Sequence, residues 1–194
     1  IIFIIYPLTI TNLINLVTKP LLEIAKAVIQ TEADSILMLK DRIDKTLNDA
    51  CKLILSCEGK VILIGMGKSG HIGRKISATL ASTGSPSFFL HPAEAIHGDL
   101  GMVKNNDVII LISYSGETEE IIKLLGPLKK LNVHIISLTS KSNSTLGLSS
   151  EICLDISIDR EACPLNLAPT TSSLLTMTSG DALAIAAMQA RGFA

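Results

Sequence analysis

Five short apolar runs, separated by amphipathic stretches, set the texture of the chain from residue 59 onward. Val61–Gly65, Ser87–Leu90, Val108–Ile112, His134–Leu138 and Ile152–Leu154 carry few polar interruptions. Runs of this kind, apolar throughout rather than alternating, belong to strands buried on both faces. Between them, His71–Ser82 and Glu119–Leu131 repeat apolar residues at helical spacing, and Ser144–Leu148 reads as a brief turn. Upstream, Pro20 to Cys57 is helical, with Leu21, Ile24, Val28 and Ile29, then Leu37, Ile43 and Leu47, opposite charged positions. Thr170–Arg191 is a last helix rich in Ala, Leu and Met, stopped by Gly192.

Strands alternating with helices predict the α/β class: a five-stranded parallel sheet inside a three-layer α/β/α sandwich, joined by right-handed crossovers. In such sheets ligands gather outside the carboxyl ends of the strands, near the point where strand order reverses. With no internal repeat, low-complexity tract or linker, residues 19–194 read as one domain, with N-terminal helices over 19–57 and the sheet core over 59–194. Residues 1–18 stand apart as an atypical leader to which no role is assigned. Their apolar start is broken by Pro7 and by Thr11-Asn12 before membrane-spanning length, and it has no basic flank.

Composition narrows the function. The chain has 194 residues and is 47% apolar, enough for a sizeable core. A net charge of −1, with both signs interspersed, leaves no basic stripe, and 3% aromatics with no Trp leaves no stacking platform. Nucleic acid and membrane are therefore not expected partners. The four cysteines, Cys51, Cys57, Cys153 and Cys163, form neither a CxxC pair nor zinc-ligand spacing. They read as reduced thiols of a cytoplasmic protein, three of them small core residues.

The chemistry concentrates after the third strand, in Ser113-Tyr114-Ser115-Gly116-Glu117-Thr118-Glu119-Glu120. Ser113, Ser115 and Thr118 supply hydroxyl donors, Gly116 permits close backbone approach, and the helix start offers open N–H groups to an anion. The three glutamates have the wrong charge for phosphate but suit proton movement, which points to a phosphorylated small molecule undergoing reaction. Two other motifs fail. Gly65-Met66-Gly67-Lys68-Ser69-Gly70 fits a dinucleotide fingerprint, yet Leu90-His91-Pro92 stands where its ribose-binding acid should be. A Walker A loop would need glycine at position 62, where Ile62 lies within a strand. What remains is a glycine turn presenting Lys68 and Ser69.

The segments 65–75 (GMGKSGHIGRK), 82–103 (STGSPSFFLHPAEAIHGDLGMV), 113–121 (SYSGETEEI), 161–173 (EACPLNLAPTTSS) and 180–186 (GDALAIA) together resemble the sugar isomerase (SIS) domain, specifically the arabinose-5-phosphate isomerase group. The resemblance runs from about Pro20 to the C-terminus. It implies a flavodoxin-like fold and interconversion of ribulose 5-phosphate with arabinose 5-phosphate for Kdo synthesis, in lipopolysaccharide or capsule pathways. It implies no required cofactor and a homo-oligomer, a tetramer, with pockets shared between chains. An apolar surplus on the first and last helices points to self-association as well.

Carried over residue by residue, the catalytic positions are Lys68, which would stabilise developing negative charge, and Glu120 and Glu161, either of which would move the proton. Ser69, Thr83, Gly84, His91, His97, Ser113, Ser115, Gly116 and Thr118 are the expected substrate-binding positions. A zinc ion at His91 is implied to be inhibitory rather than catalytic. The family's catalytic histidine and its CBS pair would follow the point where this chain stops, which reads as an excised SIS domain of low activity.

Each assignment competes with a plainer one. Glu119 and Glu120 would stabilise a helix start by charge alone, and that reading holds for Glu119. Glu161 precedes Cys163-Pro164 with no evident capping task, which favours a functional role, and Cys163 would line the same site. His91 and His97 flank an irregular loop, while His71 and His134 read as structural. The rival function is a non-catalytic SIS module that senses a sugar phosphate; only the enzyme requires Lys68, Glu120 and Glu161 to meet in one pocket.

Overall fold

The structure is a computed structural model, and it describes residues 21–192; the leader expected over residues 1–18 lies outside them. Seven α-helices and five strands are described. Their order is α1 (Leu21–Arg42), α2 (Lys45–Leu55), β1 (Val61–Gly65), α3 (Gly67–Ser82), β2 (Ser87–Leu90), α4 (Pro92–Ile96), β3 (Val108–Ile112), α5 (Glu119–Lys130), β4 (His134–Thr139), α6 (Thr145–Ser149), β5 (Ile152–Asp155) and α7 (Thr171–Arg191). A 3-10 turn, Asp99–Met102, precedes β3.

The sheet is wholly parallel with strand order β2-β1-β3-β4-β5. The chain moves outward from β1 to β2, then returns to lay β3 on the other side of β1. Strand order therefore reverses between β1 and β3, the point where an open α/β sheet forms a crevice.

The continuous apolar runs follow from burial on both faces. Leu63, Ile110 and Ile136 face one core, filled by α2, α3 and α7 through Ile54, Ile76 and Leu183. Ile62, Ile64 and Ile109 face the other, filled by α4, α5 and α6 through Ala95, Ile121 and Leu146. The expected α/β/α sandwich is the one observed.

The helical region over 20–57 divides at Asp44, which turns extended and whose side chain accepts from Thr46 N–H at 2.8 Å to start α2. Two boundaries differ from expectation. Helix α3 begins at Gly67, not His71, so Lys68 and Ser69 lie in its first turn rather than in a loop. The segment holding His91 and His97 is not irregular: it is the short helix α4, entered through Pro92.

Helices α3 and α7 run parallel on one face. Lys75 pairs with Asp181, and Arg191 donates to Ser85 Oγ, both links joining residues 106 apart. The same offset sets Ser172 level with Met66. The starts of both helices therefore sit at the carboxyl edge of the sheet.

Candidate active site

Gly65 and Ile112 are register partners on the neighbouring strands β1 and β3, about 4.8 Å apart in the hydrogen-bonding direction. The turn carrying Lys68 and the turn carrying the serines thus leave the sheet side by side, at the reversal of strand order. Lys68 is exposed in the first turn of α3, whose cap residue Met66 makes no side-chain bond. A cation at the positive end of a helix is electrostatically unfavourable, and an arriving anion relieves that cost.

The turn after β3 is held by its own hydroxyls. Gly116 N–H donates to Ser113 O at 3.0 Å and to Ser113 Oγ at 3.1 Å. Ser113 Oγ and Thr118 Oγ1 are 2.7 Å apart, and Glu117 N–H donates to Ser115 Oγ at 3.2 Å. Thr118 precedes α5 without capping it through its side chain, so the first N–H groups of that helix stay open to an anion. The turn after β4 buttresses this cradle: Ser140 N–H and Oγ donate to Tyr114 O at 2.9 and 2.7 Å.

The three glutamates of the turn have separate tasks. Glu117 is not placed to move protons: its Oε1 accepts from Thr145 N–H at 2.7 Å and caps α6. That backbone hydrogen bond from Thr145 holds its carboxyl below the ordinary range. Glu119 pairs with Lys123 at 2.6 Å along the helix surface. Glu120, half-buried, has no hydrogen-bond or ion-pair partner among the described residues.

Glu161 differs most from its sequence reading, because it does cap a helix. Its Oε2 accepts from Thr170 N–H at 2.8 Å, Thr170 Oγ1 at 3.1 Å and Ser172 N–H at 3.2 Å, while Oε1 accepts from Ser172 Oγ. The carboxylate comes from the loop between β5 and α7, and its partners lie nine to eleven residues downstream. Sequence spacing gives no sign of so long a reach. Burial pushes its pKa upward, but the bonds from Ser172 and Thr170 together prevail and hold the carboxyl below the ordinary range. In the same loop the Cys163 thiol is also drawn down, by the N–H groups of Ala168, Leu167 and Leu165.

Lys68 and Glu161 approach the crevice from the α3/α7 layer, and Glu120 approaches from the α5 layer. Each belongs to the start of a helix: Lys68 and Glu120 lie in the first turns of α3 and α5, and Glu161 is bonded to the start of α7.

Other expected residues are placed differently. Thr83 caps the far end of α3, donating to Thr79 O at 2.8 Å, and the Gly84 carbonyl accepts from Arg191. Both lie at the amino edge of the sheet, a helix length of about 24 Å from Lys68, and within one chain they do not join the cradle. His91 is the N-cap of α4, its Nδ1 accepting from Ala93 N–H at 3.3 Å, and His97 is that helix's C-cap. His91 keeps only Nε2 for a ligand. Among the described residues no three His, Cys, Asp or Glu side chains converge. Of the cysteines, only Cys51 is fully buried. No described helix is long and apolar enough to cross a membrane.

Comparison with known proteins agrees with this geometry. The family described as the SIS domain matches residues 54–186. Arabinose 5-phosphate isomerase KdsD of Pseudomonas aeruginosa is 52% identical over 169 residues, covering 87% of this chain and 52% of that protein. Arabinose 5-phosphate isomerase GutQ of Escherichia coli K12 is 49% identical over 176 residues, covering 91% of this chain and 55% of that protein. The chain thus spans about half the length of the curated relatives it matches. A solved structure of E. coli CFT073 c3406 in complex with arabinose 5-phosphate superposes with a TM-score of 0.85 at 42% identity, covering 96% of this chain and 95% of that one. With the family matched from the second helix to the last, across both layers and the whole sheet, the chain belongs to the SIS domain family.

Proposed function

We propose that this chain carries the active site of an aldose–ketose isomerase that interconverts D-ribulose 5-phosphate and D-arabinose 5-phosphate. The observation that supports it is that the turn bearing Lys68 and the 113–118 cradle leave the adjacent strands β1 and β3 at the reversal of strand order. The names of the KdsD and GutQ relatives and the arabinose 5-phosphate bound to c3406 support the choice of substrate.

In this reading the phosphate docks on the open N–H groups of α5 and on the hydroxyls of Ser113, Ser115 and Thr118. Ser69 and the free Nε2 of His91 are the side chains left to reach the sugar hydroxyls. A glutamate removes a proton from C1 of the ketose. The C–H electrons form the C1=C2 bond, and the carbonyl electrons move onto O2, giving an enediolate whose charge Lys68 stabilises. A proton returns to C2 while the O1 proton passes to O2, and C1 becomes the aldehyde. Nothing is oxidised or reduced overall, so the reaction runs without a redox cofactor.

The same reading extends to setting. Arabinose 5-phosphate feeds Kdo and hence lipopolysaccharide or capsule synthesis, and the protein works in the cytoplasm as a homotetramer. The outer face of α1 supports self-association: Leu21, Leu22, Ile29 and Leu37 are each at least 60% exposed.

The test is proton exchange. Ribulose 5-phosphate is incubated in D2O with the complete gene product that carries this chain, and deuterium at C1 and C2 is read by NMR. Exchange with arabinose 5-phosphate formation is expected. Binding without exchange would favour the sensing module instead, and absence of binding would refute both.

A further inference from the structure

The two glutamates assigned to the proposed reaction have unequal surroundings. Glu161 receives four donors: two backbone N–H groups and two hydroxyls, from Thr170 and Ser172. Ser172 is buried, 4% exposed, at the start of a 21-residue helix. Its own place is set from α7, because its carbonyl accepts from Thr176 Oγ1 at 2.7 Å. The peptide on the other side is pinned too: Ala162 N–H donates to Thr170 Oγ1 and Thr171 Oγ1 at 2.9 and 3.0 Å, and Glu161 N–H donates to Asn166 Oδ1 at 2.7 Å.

A carboxylate with both oxygens occupied, at the positive end of a helix, is fixed in orientation and favoured as an anion. To take up a proton it must surrender a donor. Glu120 has no such partner among the described residues and lies in the first turn of α5, directly after the 113–118 turn.

We propose that Ser172, with Thr170, is a positioning residue that fixes Glu161 as a standing carboxylate on the Lys68 side of the crevice, and that Glu120 carries the travelling proton. Glu161 then sets charge and orientation for the ammonium and the substrate hydroxyls. This division of labour rests on the isomerase reading above. The lowered pKa of Glu161 agrees with it but is not its foundation.

The experiment follows isomerisation kinetics and, separately, the titration of Glu161 by 13C NMR of glutamate-labelled protein. Ser172→Ala removes one charge-assisted bond, worth about ten- to a hundredfold. A fall in kcat of that size is expected with KM for the sugar phosphate unchanged, because the 113–118 cradle is untouched. The Glu161 titration midpoint should rise, and Ser172→Thr, which restores a hydroxyl, should recover both. Thr170→Val removes a second hydroxyl donor while keeping the N–H, and serves if Ser172→Ala does not fold. Glu120→Gln should abolish C1 exchange with D2O, whereas Glu161→Gln should leave slow exchange.

An unmoved Glu161 midpoint with unchanged kcat in the hydroxyl variants would overturn the proposal. So would residual exchange in Glu120→Gln with none in Glu161→Gln. If the wild-type protein shows no isomerisation while the midpoint still shifts, the isomerase reading has failed and the clamp has not.

Discussion

Replacing Gly116 by alanine should damage the fold and the phosphate cradle together. Gly116 sits at φ 71°, a left-handed conformation that costs an L-residue about 1–2 kcal/mol. A Cβ added there would collide with Ser144 Oγ and Ser144 Cβ and lie 2.9 Å from Thr139 Oγ1. Ser144 is not free to move aside. It is buried, its hydroxyl donates to Lys141 O at 2.6 Å, and it accepts from Gly147 N–H at 3.1 Å as the cap of α6. Overpacking at a rigid site adds about 1–3 kcal/mol. Together the two effects predict a loss of about 2–5 kcal/mol, a large share of the stability of an ordinary domain, roughly 5–15 kcal/mol. Urea unfolding of Gly116→Ala measures the loss directly. Binding of inorganic phosphate, by calorimetry, should weaken in whatever fraction stays folded. A stability within about 0.5 kcal/mol of wild type would show that this turn is looser than its contacts indicate.

Three other perturbations separate function from stability. Lys68→Met keeps the side-chain stem but removes the charge, so kcat should fall by about 10²–10³ while unfolding stability holds or rises slightly, by about 0.3–1 kcal/mol; unchanged turnover would remove Lys68 from the chemistry. Asp107 is 1% exposed, and its carboxylate accepts from Lys60 N–H at 2.8 Å and Lys104 N–H at 2.7 Å. Asp107→Ala should cost about 2–5 kcal/mol in urea unfolding by leaving those donors unmet, with KM for the sugar phosphate unchanged because the residue lies at the amino edge. Glu161 has a depressed folded pKa, so its contribution to stability is full above the ordinary carboxylate value of 4.5 and is lost as pH falls through the lower folded value. Glu161→Gln should therefore flatten the acid side of the stability–pH curve, and an unaltered slope would contradict the assigned hydrogen bonds.

The sheet was legible because its signal is local. Unbroken apolar runs such as Val108–Ile112 have no reading compatible with an exposed strand, and their spacing by helices forces parallel crossovers. The start of α3 was hidden because Met66, its cap, makes no side-chain bond, and the residues that follow are glycine and lysine rather than cap formers. Helix α4 escaped notice because it is five residues long and is opened by a histidine ring nitrogen. The serine turn could be read as a cradle from its residue types alone. The duties of Glu117 and Glu161 could not, since each is bonded to a segment distant in sequence: Thr145 in one case, Thr170 and Ser172 in the other. Thr83 and Gly84 show the limit of a short motif: within one chain they lie at the edge of the sheet opposite the cradle.

The glycine pattern at 65–70 shows how one spacing serves two kinds of ligand. A Cβ on Gly65 would lie 2.9 Å from Ser69 O, and one on Gly70 would lie 2.7 Å from Gly65 O. The pattern is thus required by the close crossing of α3 over the end of β1, whatever binds there. A dinucleotide fold adds an acid at the end of the next strand to hold ribose; this chain has Leu90-His91-Pro92 at that point and Lys68 at the helix start instead. The amine adds positive charge to an already positive helix end, so the crevice beside β1 favours an anionic group over a neutral one. The crevice beside β3 makes a second such demand, through the uncapped start of α5. The two positive ends follow the neighbouring strands β1 and β3, one on each face of the sheet, at its carboxyl edge. A ligand with a fixed negative charge at one end and a negative charge that develops during reaction at the other satisfies both, and a phosphorylated ketose passing through an enediolate is such a molecule.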